Sequence, residues 1–315
     1  MGNPLKIDVH MHLYKTRDDG LAAIDGYHIW EYGEKPDVRF GDLGGNIDDA
    51  LGAMEASGIT KAVVVNLYSA KVAKAEAIAE LSVGLSDAER TLAIDKIESA
   101  QIKNFKDFNM WCCGAVKNYP QLIPYICADG GALPGDLGAI HVRDMVENHG
   151  ARGVKMHGAI QGYNMSDEIM WPTYRMCREL GIPIIAHSGP DLDNAHYAEP
   201  KAFARMLNEF PELTVVVAHM GGGTWSQALE LAEAYPNAYF DCCEIIEWTG
   251  GTNAPSDRQL ARLIKDIGPE RVFMGSDFPW YDLQHTVERV LDLPILSQEE
   301  KEGIMGANAE TILGL

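Results

Sequence analysis

The chain has 315 residues, 46% of them hydrophobic and 23% charged, with a formal net charge of −20; that is ample material for a core. So acidic a molecule repels nucleic acid and anionic membranes, which argues against both as partners, though a local cation can still reverse the potential inside a pocket. No apolar stretch approaches a membrane span, the first residues lack signal-peptide character, and none of the six cysteines forms C-x-x-C, so a cytoplasmic protein with reduced thiols is expected.

Taken in chain order, short Val- and Ile-rich runs alternate with longer amphipathic segments. Strands are expected at Leu5–His10, Ala62–Asn66, Leu122–Ala128, Gly153–His157, Pro183–His187, Thr214–His219, Ala238–Cys243 and Val272–Ser276. Most are continuous apolar runs, as strands buried on both faces of a parallel sheet require. Helices are expected at Ile47–Ser57 and Trp171–Leu180, each stopped by a glycine, and at Lys201–Phe210 and Ser226–Tyr235, each stopped by a proline. Ser86 with Glu89, Ser256 with Gln259 and Ser297 with Glu300 have capping-box spacing.

Eight such alternations predict an α/β fold of the closed (β/α)8 TIM-barrel type, a single domain over residues 1–315. An open doubly wound sheet would usually carry a Gly-rich phosphate loop after its first strand; here that strand ends in His-Met-His. Two segments exceed the minimal barrel. Asp18–Asn46, with Tyr27, His28, Trp30 and Tyr32, reads as a long loop over the C-terminal face and a lid candidate. Ser69–Tyr119 reads as inserted helices after the second strand, either surface decoration or a surface for a homodimer.

The active site of such a barrel lies at the C-terminal ends of its strands. Those ends carry His10 and His12, then Lys155 and His157, His187, His219, Glu244 and Asp277. Residues two apart on a strand share a face, so His10 and His12 can both point to the barrel axis. With His187 and Asp277 they can form a nitrogen and oxygen site for a transition metal. Each residue alone has a plainer reading, as a hydrogen-bonded core histidine or a turn-capping aspartate. Five metal-competent side chains at the ends of four strands outweigh coincidence. His141, His149, His196 and His285 fall in helices or loops and read as surface residues, as does Arg152.

The ordered set of H-x-H, Gly-Val-Lys-Met-His, His187-Ser-Gly, His219-Met-Gly-Gly and Gly-Ser-Asp277-Phe-Pro resembles the amidohydrolase superfamily, from His10 to the closing Asn308-Ala-Glu. More narrowly it is similar to the amidohydrolase-related branch, which holds metal-dependent hydrolases and non-oxidative decarboxylases of the aminocarboxymuconate-semialdehyde and resorcylate types. The resemblance implies His10, His12, His187 and Asp277 as ligands of a principal divalent metal, with Zn2+ leading and Mn2+, Fe2+ or Co2+ as alternatives. It implies His219 as a catalytic base, a polarising group or a ligand of a second ion. Lys155 would be a carboxylated bridge between two metals, a hook for a substrate carboxylate, or a structural lysine.

Bridging tilts the expectation toward a hydrolase. Its metal-activated water would attack a small, carboxylated or cyclic substrate, and Asp277 would shuttle the proton. The alternative is a metal-dependent decarboxylase of an aromatic or unsaturated acid. A non-catalytic scaffold would be expected to have lost a ligand, and none is missing. For substrate contact the candidates are Lys155, His157, Trp30, Tyr163, Glu244 and Trp280, with Trp171 also near the mouth; each aromatic reads more readily as packing, and Glu244 also as a cap on the turn after strand seven.

Overall fold

A computed structural model describes residues 5–27 and 29–315. The first four residues and His28, named above, lie outside the described residues. Eight strands, β1 (Ile7–Met11), β2 (Lys61–Val64), β3 (Leu122–Cys127), β4 (Gly153–Met156), β5 (Ile184–Ala186), β6 (Val215–Val217), β7 (Ala238–Asp241) and β8 (Val272–Phe273), follow the expected order. Each pairs in parallel with the next. The ring closes where the chain after β8 meets β1. Val9 N–H donates to Met274 O at 3.0 Å, Asp277 N–H to His10 O at 2.8 Å and His12 N–H to Phe278 O at 2.7 Å.

The strands are nearly free of exposed positions because alternate residues serve two cores. Ile7, Val9, Val63, Val65, Tyr125, Ile185, Val216 and Phe273 join one cluster drawn from six strands. Val64, Val154, Ile184, Val215 and Val217 join a second, shared with helix residues such as Leu260, Ile264, Val287 and Val290. Most strands are shorter than expected at their C-terminal ends. Beyond them the backbone leaves the ladder: His219, Glu244 and Asp277, just past β6, β7 and β8, all have positive φ (58°, 62° and 57°). Such conformations are costly for non-glycine residues and cluster at functional sites.

The expected helices form, with their stops. Ile47–Ser57 ends on Gly58 and Trp171–Leu180 on Gly181, both left-handed, and the three expected capping boxes are all present. The other two are shorter than expected: Ala204–Glu209 is preceded by the single turn Pro200–Phe203, and Ala228–Ala234 stands within the expected Ser226–Tyr235.

The stretch after β1 corrects the expectation of a loop throughout, because Arg17–Asp25 is helical. Thr16 caps it, accepting from Asp19 N–H at 3.1 Å while Asp19 accepts from Thr16 N–H at 3.2 Å. The insertion after β2 comprises the helices Ala70–Ala79 and Asp87–Val116.

Candidate metal centre and active site

Three side chains meet at the β1–β8 seam. His12 Nε2 lies 3.2 Å and His10 Nε2 3.6 Å from Asp277 Oδ1. A tetrahedral site with bonds of about 2.0–2.1 Å has ligand separations of roughly 3.3 Å. The donor set therefore fits a divalent transition metal in both chemistry and spacing.

The protonation states fit as well. Burial holds His10 well below the ordinary imidazole range and lowers His12, so both offer lone pairs at neutral pH. Asp277 is also buried, which opposes its ionisation. The hydrogen bond with His12 and the adjoining His10, His12 and His219 nevertheless hold it well below the usual carboxylate range.

The orientation of His10 comes from Asp241. Its Oδ2 accepts the His10 Nδ1 proton at 3.0 Å, and its Oδ1 accepts from the backbone N–H of His219 at 2.7 Å. A carboxylate behind an imidazole fixes the tautomer and leaves Nε2 as the ligand atom. His219 is fixed in the same sense, its Nδ1 donating to Cys243 O at 3.3 Å. Burial lowers its pKa to about 4, so it too is neutral. Asp8 supports the seam from below, accepting from His10 N–H at 2.9 Å and from Ser276 N–H at 3.0 Å.

His187 stands outside the tight group of His10, His12 and Asp277. Its ring is stacked on His157 at 3.7 Å and meets His219 edge-on at 4.9 Å, so the five histidines form one continuous face with the rings of His10 and His12 5.5 Å apart. Burial keeps His157 and His187 neutral. Lys155 is buried too, and burial lowers its pKa against the pull of Asp277 and Asp241. Its amine donates to His10 Nε2 at 2.7 Å.

These groups line a cavity of about 1020 Å³, within the range of a small-molecule site. Trp30 and Trp280 line it as expected, and Trp280 packs edge-on against His12 at 4.8 Å. The inserted helices contribute wall rather than decoration: Phe108 and Trp111 reach the cavity from Asp87–Val116. From the other side Tyr27, Ile29, Trp30 and Glu31 cover the mouth.

Glu244 lines the cavity, and its two oxygens also accept from the hydroxyls of Tyr27 and Tyr32, so it anchors the covering segment as well. Tyr163 is corrected: it is buried behind the short helix Gly158–Gln161, with its hydroxyl on Gln161 at 2.8 Å, and does not line the cavity. Trp171 packs edge-on against Phe210 and under Arg205, away from the mouth.

Two of the histidines read as surface residues are not. His141 is buried against the Asn109 amide at 3.0 Å, and His285 is half-buried on Glu247 at 2.7 Å. His196 and Arg152 are exposed as expected, while His149 is partly covered.

Asp241, Asp8 and Glu31 were missed as site residues. A charged residue closing the apolar strand Ala-Tyr-Phe-Asp was a usable signal for Asp241. Glu31 sits among several acidic and aromatic neighbours with nothing local to mark it.

Over 196 residues the chain is 25% identical to a 2-amino-3-carboxymuconate-6-semialdehyde decarboxylase from Dictyostelium discoideum, covering 53% of this chain and 54% of that protein. It thus spans about half the length of that relative. Among solved structures it is similar to a 2,6-dihydroxybenzoate decarboxylase complexed with 2,6-dihydroxybenzoate, at a TM-score of 0.66 and 15% identity over 100% of both chains. It is likewise similar to a dihydroxybenzoic acid decarboxylase from Polaromonas sp. JS666 with bound manganese and the inhibitor 2-nitroresorcinol, at a TM-score of 0.68 and 14% identity over 99% of this chain and 97% of that one. At these identities the structural likeness is one of fold. The family model described as amidohydrolase matches residues 7–315, and with the histidine and aspartate set at the strand ends it establishes that the chain belongs to the amidohydrolase family.

Proposed function

We propose that this protein is a divalent-metal-dependent decarboxylase of a small unsaturated or aromatic carboxylic acid. One juxtaposition carries the reading: the His10, His12 and Asp277 donor set opens directly into a cavity walled in part by Trp30, Phe108, Trp111 and Trp280. The decarboxylase names carried by the relatives reported above support it over hydrolysis.

His10, His12, His187 and Asp277 would hold the metal, either zinc or manganese suiting a nitrogen and oxygen set. When bound, the ion supplies a Lewis acid that fixes and polarises a carboxylate or hydroxyl oxygen of the substrate. Trp280, Trp30, Phe108 and Trp111 enclose the flat part of the molecule and exclude water, and Lys155 and His157 border its acidic end. The bond from carbon to the carboxyl group breaks, carbon dioxide leaves, and the electron pair stays on the carbon. A proton carried by Asp277 quenches that carbon. Because Asp277 is ionised at rest, it first takes this proton from an O–H of substrate or water. His219 Nε2, facing the same space, orients the group that gives it up.

The test is incubation of zinc- or manganese-loaded protein with 2,6-dihydroxybenzoate and a panel of related ring acids. Carbon dioxide release equal to substrate loss, abolished by a chelator, is the expected result. Cleavage of amides or lactones by the same preparation, with no carbon dioxide from any acid, would return the site to the hydrolase reading.

A further inference from the structure

Among the carboxylates that line the cavity and that the chemistry above does not use, Asp19 and Asp193 included, are two with one oxygen unpartnered among the described residues and a backbone N–H on the other. Glu31 comes from the segment over the mouth, and Asp191 follows the turn after β5; both line the cavity. Glu31 Oε2 accepts from Gly223 N–H at 2.6 Å, while Oε1 has no hydrogen-bond partner among the described residues. Asp191 repeats the pattern: Oδ2 accepts from Tyr197 N–H at 2.6 Å, and Oδ1 is buried without any partner.

The seat of Glu31 is built from glycine. A Cβ on Gly222 would stand 2.2 Å from Glu31 Oε2 and one on Gly189 2.9 Å from it, so a side chain at either place would displace the carboxylate. The same point above Gly189 lies 3.4 Å from His187 Nε2, which sets Glu31 at the edge of the histidine face.

Neither carboxylate has a counter-ion. Among the described residues no salt bridge reaches Glu31 or Asp191. Neither lysine of the cavity bonds to them: Lys155 lies beside His10 and Lys15 over the Trp111 ring at 5.5 Å. A covered carboxylate held by one neutral N–H is undercompensated, and a cationic partner resolves the deficit. Burial pushes Glu31 up to about 7 and raises Asp191, as expected of carboxylates lacking such a partner.

We infer that Glu31 and Asp191, both on the cavity wall, form a subsite for an amino group of the substrate, which is therefore an amino-substituted carboxylic acid rather than a simple or a second-acid-bearing one. The inference rests on the proposed function only in placing the substrate in this cavity. The acid end would face the His10, His12 and Asp277 seam, and the amino group would face Glu31 Oε1 and the Asp191 carboxyl group. A second carboxylate on the substrate would meet like charge on this wall.

Binding to metal-loaded protein by calorimetry tests the subsite with benzoate, isophthalate, 3- and 4-(aminomethyl)benzoate, and benzylamine. At least one aminomethyl acid is expected to bind about tenfold tighter than benzoate, the worth of one charge-assisted hydrogen bond, and isophthalate weakest of the acids. Glu31→Gln and Asp191→Asn should each erase most of that preference while leaving benzoate affinity and metal content unchanged. An absent preference, or one intact in both variants, overturns the subsite. Loss of metal from Glu31→Gln overturns it in a different way, by making Glu31 a metal ligand. If benzoate does not bind but benzylamine does, and loses affinity in both variants, the amine subsite stands and the carboxylate-at-metal reading fails alone.

Discussion

Asp241 and His10 face each other across the seam at 3.0 Å, Oδ2 to Nδ1, both buried. That contact decides which nitrogen of the first-strand imidazole is available to a metal. Asp241→Asn keeps the shape and removes the charge, and its amide can turn a donor toward Nδ1 and invert the tautomer. Metal affinity is expected to fall about 10–100-fold. Competition with a chromophoric chelator measures it, and an unchanged affinity would refute the orienting role.

Asp277 combines two duties in the proposed reaction, one as ligand and one as proton carrier. In Asp277→Asn the remaining imidazoles should retain much of the metal, whereas turnover should fall by about 10²–10⁴-fold, as for loss of a positioned acid or base. Metal analysis beside carbon dioxide release separates the two. Near-normal turnover would rule out Asp277 as the proton carrier.

Glu244, Tyr27 and Tyr32 bind the covering segment to the end of β7. Tyr32→Phe leaves one oxygen of a buried carboxylate without its partner, at an expected cost of about 1–3 kcal/mol. The variant should melt earlier and be cut faster by protease within residues 27–41. Protease sensitivity equal to that of the parent would show that the segment is held by other contacts.

Asp8 gives a pH signature. Burial raises its pKa to about 7 despite hydrogen bonds from Ser276 and His10. The folded form therefore holds a proton that the unfolded form releases near its ordinary value of 3.8. Folding binds protons between those limits, so the Asp8 contribution is complete at low pH and is lost as pH rises toward 7. The buried histidines act oppositely, His219 adding stability as pH rises from about 4. A difference between two proteins isolates Asp8: in the metal-free state, Asp8→Asn should gain stability relative to the parent from pH 4 to 7 and level off above. The span is at most about 4 kcal/mol. Parallel urea-denaturation curves at every pH would contradict the shift.

The barrel and most of its seam were legible because they depend on local pattern. Apolar runs of strand length announce β2 and β6, and H-x-H after an apolar run places two imidazoles on one face. His219 and Asp277 were found by the same logic, since strand ends are where the fold concentrates chemistry. What eluded it depends on tertiary contact. Asp241 matters because His10, more than two hundred residues earlier, turns toward it. The bonds of Glu244 to Tyr27 and Tyr32 likewise join segments more than two hundred residues apart. Tyr163 and His141 went wrong for the converse reason, since their burial is set by packing that no periodicity reveals. Hydrolysis led the expectation because a strand-four lysine suggests a bridge; the decarboxylase names of the relatives favour the alternative.

The helix Asp87–Val116, inserted between β2 and β3, sends Phe108 and Trp111 into the cavity while the strand ends carry the acids and imidazoles. Part of the cavity wall is thereby supplied by a segment outside the barrel strands. Change in the insertion can reshape that part of the wall without disturbing the backbone that positions His10, His12 and Asp277.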